Sequence, residues 1–416
     1  MITLKDDTLT VRFPHIHPDA VCEIEFQRTL RIPDDNRTHY LPPGLGKFAL
    51  KHVDDHADKL PAAWQKRGGV FLPMHETEAV WIRFQSKYPF AVKIAAGKIN
   101  AVTGKPWTPE LKGPHWVGPA HDLAFRPAHR TPPFIPNPDM YPYNTWATNE
   151  LGTPIPPEFL SQKTNIGEDQ DYLSVPRQPW LDGFCVERGK VRQFVALPMG
   201  SGFTVEEQLT GEAIHGGLQI LVYPLKPEFY VERVFASSSS GIVGGLTDAV
   251  SNTAYGTCAN GSMGYYSMSD TMSGAVGSLR AAAASPDMGM APGGLMKQNI
   301  YEDSFGIEKF DQTAGAKCFV HLLNAEQYQR VTGKQPPHRA PTAEDYTEAG
   351  MPWFCEGKNI GQVLPGAAQL KKLDSVANHA NKTGHNVLGN QNAAPAWPPV
   401  KVVTVRNPNL VREGGF

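Results

Sequence analysis

The sequence carries almost no excess charge of either sign. Lys and Arg number 39 and Asp and Glu 41, a formal charge of −2. That excludes the basic footprint of a nucleic-acid binder or of a protein held on an acidic membrane surface. Long hydrophobic runs are absent as well. The best candidate, Leu218 to Leu225, has the length of a strand, whereas a membrane helix needs about 18 apolar residues. No transmembrane segment is expected. The first residues, Met1 to Asp7, contain no apolar signal-peptide core. Cysteine is scarce, with Cys22, Cys185, Cys258, Cys318 and Cys355 widely spaced, odd in number and without a CxxC pair. That pattern argues for reduced thiols in a cytoplasmic protein, the alternative being export without a signal peptide. The sequons at Asn36, Asn260 and Asn381 then read as chance matches.

Turn formers are abundant instead, with 39 glycines and 37 prolines. They point to short strands and many turns, and against helical bundles, coiled coils and helical repeats. With 41% hydrophobic and 10% aromatic residues the chain can fill a core. The expected fold is mainly β, with a minor α+β character. It consists of β-sandwich-like layers with short capped helices, long Pro/Gly-rich connections and an extended C-terminal tail.

Four regions follow along the chain. Residues 1–110 alternate apolar and polar side chains at Thr8–Phe13 and Val21–Phe26, the period of a half-buried strand. Ala79–Phe84 and Phe90–Ala95 add two more strands. Leu60–Gly69 reads as a short helix that Gly68 closes. Residues 111–180 mix proline with large rings and read as a wrapping connector. Residues 181–355 form a second β-rich domain, with strands at Val191–Pro198, Leu218–Leu225, Tyr230–Phe235 and Lys317–Asn324. Between them, Thr204 and Glu207 have capping-box spacing and Gly211 ends the helix. Asn324 caps a further helix, and Thr342 to Gly350 reads as one more capped turn. Inside this domain, residues 236–296 are rich in Gly, Ala, Ser and Met, suited to a small-residue layer or to a partner surface. Residues 356–416 read as an extended tail with one strand, Val400–Val405.

Familiar catalytic motifs are missing. There is no Gly-x-Ser-x-Gly elbow and no Walker A sequence. Gly44-Leu-Gly46 has dinucleotide-loop spacing but follows Pro42-Pro43 rather than a strand, so no cofactor is expected. The residues left for catalysis are Asp182, beside Trp180, then Ser201 in Gly200-Ser201-Gly202, and Glu206-Glu207. Paired carboxylates can run acid–base chemistry, and a serine before a helix can meet a stabilised anion. For metal, His15 and His17 would share one face of a strand, and His52 and His56 one face of a helix. Eight Trp and thirteen Tyr raise stacking on a glycan, although cores use the same rings.

Three segments together resemble a known family. They are Tyr88 to Gly104, Gln178-Pro-Trp-Leu-Asp-Gly-Phe with Arg192 to Gly211, and Met288 to Asp303 with Arg339 to Phe354. They are similar to a widespread family of uncharacterised bacterial and fungal proteins, some described as integral membrane proteins. The resemblance spans about residues 1–355. It implies no activity, cofactor or site residue, and the lack of a spanning segment runs against the membrane description.

The expectation is a non-enzymatic protein that self-associates into a homo-oligomer or larger assembly, with 236–296 and 400–406 as contacts. Low net charge lowers the barrier to association, and an extended strand can add to a neighbour's sheet edge. A hydrolase or carbohydrate-active enzyme using Asp182 and Glu206/Glu207 is the alternative, and a metal- or ligand-binding β protein the third. The expected partner is a second copy, with another protein or a glycan next, and no nucleic acid.

Overall fold

A computed structural model describes residues 1–35, 37–117, 162–164, 169–230, 287–341, 353–356, 363–384 and 402–405. The N-terminal strands are β1 (Ile2–Lys5), β2 (Thr8–Arg12), β3 (Val21–Thr29), β4 (Thr38–His39), β5 (Gly44–Lys47), β6 (Lys51–His52), β7 (Val70–Met74), β8 (Ala79–Gln85), β9 (Phe90–Ala96) and β10 (Ile99–Asn100). A separate antiparallel pair joins β11 (His115–Val117) to β12 (Gln162–Thr164). Then come β13 (Leu173–Val175), β14 (Trp180–Leu181), β15 (Gly183–Glu187), β16 (Lys190–Pro198), β17 (Leu218–Pro224), β18 (Asp287–Lys297) and β19 (Ala316–Asn324). A parallel ribbon pairs β20 (Trp353–Glu356) with β21 (Val402–Val405).

Apart from those two ribbons, the strands make one hydrogen-bonded network of 17. The fold is mainly β, as the turn-rich composition implies. The spine of the network runs β1–β2–β3–β8–β16–β18–β19–β17–β9–β13, antiparallel at every step. The parallel pairs β18–β4 and β19–β7 attach short strands to it. Strands from 1–110 and from 181–355 alternate in this sheet: β8 lies between β3 and β16, and β17 joins β9 to β19.

Alternation along β16 shows how the layers form. Phe194 and Ala196 point into the main core, while Val195 and Leu197 enter a second cluster with Ala79, Phe203, Ala291, Val376 and Ala380. Successive side chains of a strand face opposite ways, so a strand apolar on both phases must be covered twice. Each fully buried Phe or Leu contributes about 1.5–3 kcal/mol relative to exposure. The second cover comes from Phe203, in the turn before α2 (Val205–Thr210), and from α5 (Val376–Thr383); the other described α-helices are α1 (Ala62–Arg67), α3 (Ala325–Thr332) and α4 (Ala368–Lys371).

Local signals place the helix ends. Gly68, at φ +59°, donates its N–H to Trp64 O and closes α1. The Asn324 side chain accepts from Glu326 N–H at the start of α3. The expected strand at 230–235 begins at Tyr230, in an irregular stretch; its remaining residues, and those of the expected turn at 342–350, lie outside the described residues.

Two expectations are corrected. In the small-residue segment, 287–296 is not a partner surface but the buried strand β18, paired with both β16 and β19. Its glycines serve close approach, since a Cβ on Gly289 would lie 2.8 Å from Thr204 Cγ2. Residues 236–286 lie outside the described residues. The tail is not simply extended: α4 and α5 fold there and bury Leu370, Val376 and Ala380.

Candidate functional site

The predicted acid and hydroxyl groups gather at one turn. β16 ends at Pro198, and Gly200 (φ +87°) and Gly202 (φ +79°) turn the chain into α2. The capping box forms as its spacing predicts: Glu207 N–H donates to Thr204 Oγ1 (3.3 Å), and Thr204 N–H donates to Glu207 Oε2 (3.1 Å). Glu207 also accepts from Gly200 N–H (2.7 Å), Gly202 N–H (3.0 Å) and Thr204 Oγ1 (2.7 Å). Its lone pairs therefore hold the turn together. Ser201 Oγ donates to Pro198 O and closes the same turn. Glu206 is 3% exposed and accepts three backbone N–H groups, from Ile214 (3.1 Å), His215 (2.8 Å) and Gly216 (2.9 Å). Both glutamates are thus saturated by donors.

Beside this turn lies a cleft of about 670 Å³, open to solvent, between Ile99–Pro106, α2 and the Gln369–His379 segment. Glu207, Lys372, Asp374 and His379 are among its lining residues. Gln208 locks the far wall in place, donating to Asp374 O (3.0 Å) and accepting Asp374 N–H (2.8 Å). Phe203 meets the His379 ring edge-on at 4.6 Å. His379 Nδ1 stands 4.0 Å from Asp374 Oδ2, and Lys382 Nζ donates to Asp374 Oδ1 at 2.6 Å. The His379–Asp374 pair was not legible in the sequence. The only signals were Ser375 as a helix cap and Gly384 as its left-handed stop, inside an Asn/Ala/Gly-rich stretch.

Asp182 lies elsewhere. It is 1% exposed, between β14 and β15, and is not part of the cleft lining. Its N–H donates to Gln298 Oε1 (3.0 Å), and its carbonyl accepts Phe194 N–H (3.0 Å). The Asp-Gly pair marks a crowded strand crossing and not an exposed turn: a Cβ on Gly183 would sit 1.8 Å from Arg192 O.

The histidine pairs do not form the expected faces. His15 and His17 occupy a turn between β2 and β3, not a strand. His15 meets Phe13 edge-on, while His17 stacks on Tyr88 and accepts Asp19 N–H. His52 is on β6, and His56 sits at a non-helical kink against Phe71. Among the described residues no three His, Cys, Asp or Glu side chains converge to hold a metal ion. The large rings Trp64, Trp81, Trp180 and Trp353 are buried. Cys22, Cys185 and Cys318 are reduced thiols, and burial pushes Cys22 and Cys185 up to about 12. Among the described residues no helix is long and apolar enough to cross a membrane.

One buried site escaped sequence reading altogether. His321 stacks between Trp64 (4.2 Å) and Phe319 (4.3 Å), and burial pushes it down to about 3. Next to it, Trp64 Nε1 donates to Asp287 Oδ2 (2.8 Å), and burial pushes that carboxyl up to about 6. Nothing in the local sequence joins residues 64, 287 and 321; only the sheet does.

No family model, curated protein or solved structure matches the chain.

Proposed function

We propose that the protein is a non-enzymatic structural or interaction protein that self-associates. The observation that carries this is the β20–β21 ribbon. It is a sheet of its own, anchored to the body by the antiparallel bridge of Leu41 to Phe354 and by Trp353 and Phe354, which are buried in the main core. Two-stranded pairs are marginal alone, and parallel ones slightly more so. Among the described residues no further strand pairs with β21, so its outer backbone edge offers donors and acceptors to a second copy. The saturated state of Glu206, Glu207 and Ser201 supports the same reading. The kinship of residues 1–355 with the family their motifs resemble belongs to this proposal and adds no activity.

Light scattering on the eluting full chain tests it. The expected species exceeds the 45.6 kDa of one chain. Val403→Pro, which removes a ladder donor from β21, reduces its size. A 45.6 kDa monomer at every concentration would overturn the proposal. The point variant is preferable to deletion from residue 359, because α4 and α5 pack into the body.

A second reading, a hydrolase or carbohydrate-active enzyme, rests on the cleft. There His379 and Asp374 face the turn that carries Ser201 and Glu207. Turnover of an ester or glycoside that His379→Gln abolishes would favour it. His379 is the better target, since Glu207→Gln would also disturb the turn.

A further inference from the structure

Residues 30–34 arch over β16 and β18. Gln193 of β16 pins the arch twice: its Oε1 accepts Ile32 N–H (3.0 Å), and its Nε2 donates to Leu30 O (2.8 Å). Gly294 of β18 makes room, because a Cβ there would lie 2.4 Å from Pro33 O. Arg31 is held between the two pins and is 5% exposed. Among the described residues neither Nη1 nor Nη2 of its guanidinium has a hydrogen-bond partner. Asp34 acts on this cation through space, and its Oδ1 also has no hydrogen-bond partner among the described residues. Its Oδ2 accepts Ala377 N–H (2.9 Å) in the first turn of α5, and its Oδ1 lies 3.6 Å from Arg192 Nη1. Arg192 also donates to Gly293 O (3.0 Å). The cluster thus buries two guanidiniums and the positive end of α5 against one carboxylate.

A buried cation with both terminal NH2 groups unused is a costly arrangement that proteins rarely keep without a counter-group. We propose that Arg31 is the principal ligand of a buried oxyanion site, and that the group it receives is a carboxylate or phosphate. The guanidinium presents two N–H edges in one plane, which match a pair of oxygens on such a group. A halide offers a single acceptor point and fits less well. Asp34 acts as the competing charge that limits affinity. The inference does not depend on self-association.

Calorimetric titration of the full chain with inorganic phosphate, and separately with acetate, decides the matter at fixed ionic strength set by chloride. Saturable one-to-one binding of either anion is expected, and the tighter of the two identifies the class. Arg31→Met should weaken binding by about tenfold or more, the loss of one charge-assisted contact. Asp34→Asn keeps an oxygen for Ala377 N–H and removes the competing charge, so it should tighten binding. Failure of both anions to bind would overturn the site, with internal water as the partner of Arg31. Unchanged binding by Arg31→Met would overturn it too. If Arg31→Met does not fold, Asp34→Asn alone decides, and weaker binding there refutes the proposal.

Discussion

The α2 turn and the arch over β16 both bury charge, and they treat it in opposite ways. Glu206 and Glu207 are each surrounded by backbone and hydroxyl donors. Arg31 is buried like Glu206, yet among the described residues its two terminal nitrogens have no partner. The carboxylates do the work of a turn, replacing backbone acceptors where the chain reverses. The guanidinium does no such work within the chain. Buried charge that closes a local hydrogen-bond account marks architecture, and buried charge that leaves it open marks a place for something else.

The largest expected effect tests the saturated side. Glu206→Ala strips the acceptor from three N–H groups and should cost about 3–4 kcal/mol in urea denaturation. A loss below about 1 kcal/mol would mean that water replaces the carboxylate, and the contrast would collapse.

Asp287 sits between the two extremes, a buried carboxylate beside Trp64 Nε1. Folded, it titrates near 6 against an ordinary 3.8, chiefly through burial. Below about pH 3 both states hold the proton. As pH rises, the unfolded chain ionises first, so stability falls until pH passes about 6 and stays lowered above it. Asp287→Asn should therefore gain about 2–3 kcal/mol at pH 7 and only about 0.5 kcal/mol at pH 4. Denaturation midpoints measured at both pH values check this, and a pH-independent gain would refute the assignment.

Arg31→Met should move stability the other way from Glu206→Ala. With no oxyanion in the buffer, replacing an unpaired buried cation by an apolar chain of similar length gains about 1–2 kcal/mol. A loss of that size in thermal unfolding would place Arg31 with the saturated group. The smallest effect belongs to the exposed pair of Lys371 and Glu187. Hydrogen bonds from Lys371 and Lys190 hold that carboxyl down at about 2, yet the lysine side chain is 62% exposed. Lys371→Ala should change the unfolding free energy from urea denaturation by less than about 0.5 kcal/mol.

These contrasts also show what a linear reading can reach. The capping box of α2 was legible because its two partners, Thr204 and Glu207, are three residues apart. The strands β2 and β3 were legible from the alternation of apolar side chains, β8 from its β-branched and aromatic residues, and β16 as a run that Pro198 ends. The histidine pairs misled for the same reason in reverse. Spacing alone put His52 and His56 on one helix face, but a strand end and a kinked turn occupy those positions. Asp182-Gly183 misled because a glycine needed for close approach looks, in sequence, like a glycine needed for a turn.

By itself, then, the sequence determined the mainly β class, the caps of α2 and α3 and the closure of α1 at Gly68. These depend on side-chain period and on backbone groups a few residues away. Only the tertiary structure decided that β18 would run between β16 and β19, that α5 would set His379 against the α2 turn, and that Arg31 would be buried with no hydrogen-bond partner for its terminal nitrogens among the described residues. Those outcomes join residues from 34 positions apart, as Met288 and Leu322, to 343 apart, as Asp34 and Ala377. Which distant strands pair is set by how the whole chain buries its apolar surface, and no local pattern records it.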